Sequence, residues 1–160
     1  MNKETYELAE KIVSDAGARG VNLALAESCT GGMIAAAITD AAGSSGVFLG
    51  SAVTYGNKAK EDILGVQRDI IMKFGAVSRE CAVQMARGAL RIFSADLALS
   101  VTGIAGPGGG SAEKPVGTVW FGFCSAEKED AFVCSFKGTR EDIRIESVNT
   151  AMKYLIKELK

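Results

Sequence analysis

Lys60 is the residue of this sequence best placed for proton transfer. The chain contains no histidine, so an acid–base step at neutral pH needs another titratable group. Residues 46–54 form an apolar run that predicts a buried strand, and Asn57 is placed to cap a helix that begins just after it. Strand ends that lead into helices are where α/β proteins place ligand chemistry. Lys60 is therefore the candidate general base.

A lysine acts as a base only if its pKa falls from about 10.4 to about 7–8, a change worth roughly 4 kcal/mol. Lys60 is expected in the first helical turn, where the helix dipole disfavours the ammonium form by only about 0.3–1 kcal/mol. Burial or a second cation must supply the rest. The apolar run and the alanine-rich segment 33–42 are the expected apolar walls. The alternative is a solvated lysine that pairs with a neighbouring carboxylate.

Three small-residue loops offer further polar groups. The first, residues 27–32, lies between a predicted strand and a helix, where backbone N–H groups and the hydroxyls of Ser28 and Thr30 can bind an anion or simply cap the helix. The second is a Gly-Ser-Ser-Gly turn that presents Ser45 before the next strand. The third, residues 102–110, is rich in glycine but lacks the lysine of a Walker loop. An ordinary loop is the alternative for each.

Composition excludes several classes of protein. The chain has 160 residues, 48% of them hydrophobic and 23% charged, as expected for one globular domain. A formal net charge of −1 argues against a broad nucleic-acid surface. No apolar stretch approaches the ~20 residues of a membrane span, and residues 1–5 lack a signal-peptide core. We therefore expect a cytoplasmic protein that binds neither nucleic acid nor membrane, and its self-association stays open.

The four cysteines are expected to be reduced, with Cys81, Cys124 and Cys134 in the core. They form no CxxC pair, and without histidine the sequence argues against a zinc site. We expect no metal and no cofactor.

Hydrophobic periodicity predicts alternating helices and strands up to residue 101, then a hairpin and a last helix. The predicted helices are residues 4–17, 33–42, 57–64, 68–74, 79–93 and 140–159. The predicted strands are residues 21–26, 47–54, 95–101, 116–124 and 131–136. This order predicts an α/β protein with a mixed sheet between layers of helices.

Seven motifs, in order along nearly the whole chain, resemble those of the CinA C-terminal domain family. They are Ala26-Glu27-Ser28-Cys29-Thr30-Gly31-Gly32, Gly43-Ser44-Ser45, Tyr55-Gly56-Asn57-Lys58-Ala59-Lys60, Gly75-Ala76-Val77-Ser78, Val101-Thr102-Gly103-Ile104-Ala105-Gly106-Pro107-Gly108-Gly109, Lys114-Pro115-Val116-Gly117-Thr118-Val119 and Lys137-Gly138-Thr139-Arg140. The resemblance implies a three-layer α/β/α sandwich formed by residues 1–160 as one amidase domain. It also implies deamidation of nicotinamide mononucleotide to nicotinate mononucleotide and ammonia, a step of pyridine nucleotide salvage.

The resemblance further implies a metal-independent serine–lysine hydrolase. By motif, Ser45 is the expected nucleophile, Lys60 its base and Tyr55 an assisting residue. From the residues alone Ser28 and Ser45 are not distinguished, because both lie in small-residue turns. Without histidine, a neutral lysine is the natural activator of a serine hydroxyl.

The same resemblance assigns substrate binding to the loops and the last helix. Ser28, Thr30, Gly31, Thr102 and Gly103 are expected to line the site. Either Arg140 or Arg144 is expected to bind the phosphate, together with backbone donors of the first loop. A nucleotide-binding regulatory module that keeps the pocket without turnover is the alternative function.

Overall fold

A five-stranded mixed sheet forms the centre of the protein in a computed structural model that describes residues 2–160. The sheet has the order β2-β1-β3-β4-β5. Its strands are β1 (Leu23–Glu27), β2 (Phe48–Val53), β3 (Leu97–Gly103), β4 (Thr118–Ser125) and β5 (Glu129–Ser135). β1 pairs in parallel with β2 and β3, whereas β3, β4 and β5 pair antiparallel. Met1, which belongs to the segment expected to lack a signal-peptide core, lies outside the described residues.

Helices cover both faces of the sheet. They are α1 (Lys3–Arg19), α2 (Met33–Asp40), α3 (Asn57–Leu64), α4 (Arg68–Phe74), α5 (Arg79–Phe93) and α6 (Arg140–Glu158). α1, α2 and α6 pack together over one face, and α3 and α4 pack with α5 over the other. Each layer encloses its own apolar core against the sheet. The predicted three-layer α/β/α sandwich with a mixed sheet is confirmed. Within residues 2–160, no helix combines the length and the apolar character that crossing a bilayer requires.

Local capping explains why several helix bounds agree with prediction. The Ser78 side chain accepts from the N–H of Cys81 and starts α5, and Thr139 forms a capping box with Asp142 at the start of α6. The predicted cap at Asn57 is wrong. Gly56 occupies the N-cap of α3 without a side-chain bond, and Asn57 is the first helical residue.

The prediction that the apolar run before Lys60 is a buried strand is also wrong. β2 is an edge strand, and Leu49 and Val53 are exposed. The run carries no charge, so its composition resembles that of a central strand, but its place in the sheet is decided by long-range pairing.

The three parallel strands end at one edge of the sheet, which we call the carboxyl edge. The connection from β1 to β2 runs through α2 on one face, and the connection from β2 to β3 runs through α3, α4 and α5 on the other. A crevice forms where such connections diverge, and ligands bind there in open α/β sheets. The loops that follow β1, β2 and β3 meet at this crevice.

Candidate active site

A cavity of about 270 Å³ lies at the carboxyl edge. Its walls are the turn after β1, the start of α3, the segment before α5, the glycine-rich loop after β3, and Arg140 of α6. Ser28, Tyr55 and Lys60 all face this cavity, together with Thr102 and Gly103. The fold thus gathers most of the expected site residues from three separate loops.

Lys60 is buried beside Ser28. Only 1% of the lysine is exposed, and its Nζ lies 3.1 Å from Ser28 Oγ. The same Nζ donates to the backbone oxygens of Thr54 at 2.8 Å and Tyr55 at 3.4 Å. A neutral amine has two N–H donors and one lone pair. With the two carbonyls accepting its protons, the lone pair is free for the hydroxyl proton of Ser28.

Burial lowers the pKa of Lys60, because it removes water from around the ammonium group. The buried thiols of Cys29 and Cys81 lie near it, and burial raises the pKa of each to about 11. Both thiols therefore stay neutral near pH 7 and add no negative charge that would hold the proton on the lysine. The first turn of α5, which carries Cys81, supplies a wall. The expected wall from the alanine-rich helix α2 is wrong, because α2 packs on the opposite face of the sheet.

Lys58, two residues away, has a different environment. It is exposed and forms an ion pair with Asp62 on the surface of α3. The helical period of ~3.6 residues places the two lysines on different sides of the helix. A solvated lysine paired with a neighbouring carboxylate, the alternative considered for Lys60, therefore describes Lys58 and not Lys60.

Ser45 lies away from the cavity, and the structure does not bring it together with Lys60. It is an exposed residue of the 3-10 turn Ser44–Gly46, which precedes β2. Lys60 follows the other end of β2. Six strand residues, as β2 has, span about 20 Å at about 3.3 Å per residue. The expected Ser45–Lys60 pair is therefore corrected: the serine within hydrogen-bond distance of Lys60 is Ser28.

Two backbone donors accompany Ser28. Only 8% of Ser28 is exposed, and its own N–H donates to Val101 O at 3.0 Å. The N–H groups of Cys29 and Thr30 donate to no oxygen of residues 2–160. Cys29 lines the cavity whereas Thr30 is fully buried, so the N–H of Cys29 is the one placed to stabilise the negative charge of a tetrahedral intermediate.

Glu27, at the end of β1, is a buried residue of the site to which the sequence analysis assigns no role. Its carboxylate accepts from the N–H groups of Gly32, Ile34 and Ala35 at 3.0, 3.1 and 2.9 Å. It also accepts from Ser51 Oγ at 3.2 Å. The N-terminal donors of α2 are thus occupied, so the expected phosphate site cannot use them. An acidic residue just before a helix is the signal that predicts this role.

The two candidate arginines have different places. Arg140 lines the cavity and donates to Gly106 O at 2.7 Å and to the Tyr55 hydroxyl at 2.8 Å. Arg144 lies outside it and holds the carbonyls of Cys29 and Thr30 at 3.1 and 2.9 Å. Tyr55 is 60% exposed at the cavity mouth, and its hydroxyl contacts Arg140. Arg140 is thus the arginine able to meet a ligand in the cavity.

The remaining expected binding residues divide between the cavity and the protein interior. Thr102 lines the cavity, but its hydroxyl donates to Ala76 O at 2.9 Å. Gly103 lines it too, and a Cβ there would approach Val119 Cγ2 to 2.7 Å. Thr30 does not line the cavity; its side chain is buried with an unpaired hydroxyl. Gly31 is also outside it.

A second cavity of about 640 Å³ lies between α1, α2 and α6. Arg140 borders both cavities, and Arg144 borders only this one. Its other walls are largely apolar and include Met33, Ile145 and Val148. Among residues 2–160, no group of three or more Cys, Asp or Glu side chains is arranged to hold a metal ion.

The sequence profile of the CinA C-terminal domain matches residues 5–159. A relative from Enterobacter agglomerans named nicotinamide-nucleotide amidohydrolase PncC is 48% identical, with 97% of this chain and 98% of that protein covered. The CinA-like protein of Endomicrobium trichonymphae is 51% identical over 86% of this chain. The match is 32% of that protein's length, so the chain spans about a third of such longer relatives.

Comparison with solved structures points to the same family. A crystal structure of the competence/damage inducible protein CihA from Agrobacterium tumefaciens superposes with a TM-score of 0.94 at 45% identity. The match covers 100% of this chain and 98% of that one.

Proposed function

This chain belongs to the CinA C-terminal domain family, and we propose that it hydrolyses nicotinamide mononucleotide to nicotinate mononucleotide and ammonia. Relatives of similar length carry the name nicotinamide-nucleotide amidohydrolase. We take residues 1–160 as one amidase domain that acts in the cytoplasm. The four free cysteines agree with that compartment.

One observation carries the proposal: the buried Lys60 Nζ lies 3.1 Å from Ser28 Oγ at the wall of the cavity. A serine hydroxyl is a weak nucleophile unless a base removes its proton. Burial lowers the lysine pKa toward the range in which a neutral amine can do so. Ser28 therefore replaces Ser45 as the proposed nucleophile.

In the first half of the reaction, Ser28 Oγ attacks the carboxamide carbon while Lys60 Nζ takes the hydroxyl proton. The negative charge that develops on the amide oxygen is stabilised by the unpaired N–H group of Cys29, a residue of the cavity wall. When the intermediate collapses, the C–N bond breaks and Lys60 returns the proton to the leaving amine. The products are ammonia and an ester between the carboxyl group of nicotinate mononucleotide and Ser28 Oγ.

In the second half, Lys60 takes a proton from water, and the hydroxide attacks the ester carbonyl. Collapse breaks the C–O bond to Ser28, which regains its proton from Lys60, and nicotinate mononucleotide leaves. The same lysine serves as base and acid in both halves, so no metal is required for either proton transfer.

Substrate recognition is assigned to Arg140. Two of the five guanidinium N–H donors are used by Gly106 O and the Tyr55 hydroxyl, which leaves three for a phosphate. Tyr55 is proposed to orient Arg140, since its hydroxyl meets the guanidinium and not the lysine amine. Thr102 and Gly103 shape the wall.

The test is ammonia release from nicotinamide mononucleotide by the purified chain, with and without EDTA. We expect equal release in both. Loss of release only with EDTA would refute the metal-independent mechanism. Binding by calorimetry without any ammonia release would instead indicate a regulatory module.

A further inference from the structure

We propose that Glu27 is a positioning residue that sets the reactive geometry of Ser28. The proposal rests on the hydrolytic function assigned to Ser28 and Lys60, and it adds a residue that touches neither substrate nor the reacting atoms.

The Glu27 carboxylate is fully buried and fully engaged. Its exposed fraction is 0%. Both oxygens accept hydrogen bonds, three from the first turn of α2 and one from Ser51 Oγ. The N-cap residue of α2, Gly32, has no side chain to do this, so Glu27 replaces the missing cap from five residues upstream.

The charge of Glu27 is balanced by the helix. No ion pair among residues 2–160 involves Glu27. The positive end of the α2 dipole and its N–H groups take the role of a counter-ion. A buried carboxylate with this many donors and no cation is fixed to one position, because movement would leave the charge unpaired.

Glu27 is joined to both members of the proposed dyad. It precedes Ser28 in the chain, so fixing its side chain fixes the start of the turn that carries the nucleophile. Its backbone oxygen accepts from the N–H of Thr54 at 2.9 Å, and Thr54 O in turn accepts from Lys60 Nζ at 2.8 Å. One residue thus anchors the ends of β1 and β2 that place Ser28 and Lys60.

The same carboxylate determines which donors remain for the substrate. With the N–H groups of Gly32, Ile34 and Ala35 occupied, the N–H groups of Cys29 and Thr30 are those left unpaired in this turn. The N–H group of Cys29, a residue of the cavity wall, is thereby the unpaired donor of this turn that a substrate can reach.

The variant Glu27→Gln tests the proposal with little change in volume. Its amide nitrogen must face at least one N–H donor, which displaces the turn. We expect kcat to fall about 10²-fold, as a displacement of about 1 Å can cause, with KM within about threefold because Arg140 is unaffected. The pH midpoint of kcat should stay, because the Lys60 environment is retained. If Glu27→Gln folds poorly, Glu27→Asp takes its place. This variant keeps the charge but has a shorter side chain, so its kcat should be lower than that of wild type, by less than the ~10²-fold expected for Glu27→Gln.

Asp96→Asn is the matched control. Asp96 is an exposed carboxylate that accepts from the N–H of Asn22 at 2.7 Å, at the opposite end of β1. This substitution makes the same carboxylate-to-amide change at a carboxylate that accepts from a backbone N–H far from Ser28, so its kcat should equal that of wild type. A merely structural role for Glu27 would lower the folded fraction but leave kcat per folded molecule unchanged.

A second readout separates this proposal from the proposed function. The rate at which a fluorophosphonate labels Ser28 is followed by mass spectrometry in wild type and Glu27→Gln. We expect slower labelling in the variant. Equal rates, or an unchanged kcat, would overturn the positioning role. A wild-type chain that is labelled but releases no ammonia refutes the proposed function alone, and one that does neither refutes both.

Discussion

The turns that carry Ser28 and Ser45 are alike in sequence and opposite in place. Both combine serine with glycine at the boundary of a strand. Ser28 follows β1 at the carboxyl edge, is buried, and lies next to Lys60. Ser45 precedes β2 at the other edge and is exposed. The difference shows that the direction of a parallel strand, more than the composition of a turn, decides whether a hydroxyl reaches the site.

The largest expected effect comes from removing one hydroxyl or the other. Ser28→Ala should lower kcat by at least about 10³-fold, because Lys60 Nζ lies within hydrogen-bond distance of Ser28 Oγ and burial keeps the nearby thiols of Cys29 and Cys81 neutral. Affinity for substrate should change little. Ser45→Ala should keep full turnover. The measurement is ammonia release per folded molecule, and an active Ser28→Ala with an inactive Ser45→Ala would reverse the comparison.

The next largest effect is expected from Lys60, whose environment differs from that of the other lysine of α3. Lys60→Arg keeps the charge but cannot deprotonate at any relevant pH. Its kcat should fall about 10²–10⁴-fold, the usual contribution of a general base, and match that of Lys60→Ala. In wild type, kcat should rise with pH as Lys60 loses its proton at a pKa lowered by burial.

Lys58→Ala is the control for Lys60, since Lys58 shares the helix but pairs with Asp62 in solvent. Most activity should remain. Near-normal turnover of Lys60→Arg would show that Lys60 acts only through its charge, and the base would then have to be another group.

A smaller effect is expected at the cavity mouth. Arg140→Ala should raise KM about tenfold to a hundredfold, because a charge-assisted contact is worth about 1.5–3 kcal/mol. Arg144→Ala should act mainly on kcat, since Arg144 holds the carbonyls of the Ser28 turn. Lys137→Ala, which removes a nearby exposed charge, should change neither constant.

Free nicotinamide should be a poor substrate, because it lacks the phosphate that Arg140 is proposed to bind. Efficient hydrolysis of free nicotinamide in the same assay would contradict that role.

The smallest effect is on stability. Burial lowers the pKa of Lys60 in the folded chain, so between that value and about 10.4 the unfolded chain binds more protons. The free energy of unfolding should therefore rise with pH across this window. Relative to Lys60→Met, the free energy of unfolding should rise by about 1.4 kcal/mol for each unit by which folding lowers the pKa of Lys60. Urea unfolding of both proteins from pH 7 to 10 measures it; parallel curves would indicate an unperturbed lysine.

The sequence predicts the elements well where the signals are local. The bounds of α3, α4 and α5 agree with prediction because each has local start and stop residues, such as Ser78 before α5 and Gly65 after α3. The cap of α3 is the exception: local preference favours Asn57 over Gly56 as the N-cap, but in the structure Gly56 occupies that position.

The site was less predictable because it is assembled from residues far apart in the chain. The importance of Lys60 follows from the absence of histidine and from its place after a strand. Its partner does not, because the 32-residue separation of Ser28 and Lys60 is closed only by the pairing of β1 with β2. The walls around Lys60 likewise come from α5, whose position depends on the second crossover.

The capping box at the start of α6 keeps Arg140 in place at the cavity. Arg140 is the first residue of this helix, and terminal turns are where helices fray most readily. Thr139 and Asp142 exchange hydrogen bonds there, with Thr139 N–H donating to Asp142 Oδ2 at 2.8 Å. The residence time of a bound nucleotide is therefore linked to how seldom a single helical turn opens. Amide exchange at residues 140–142 would follow that opening directly.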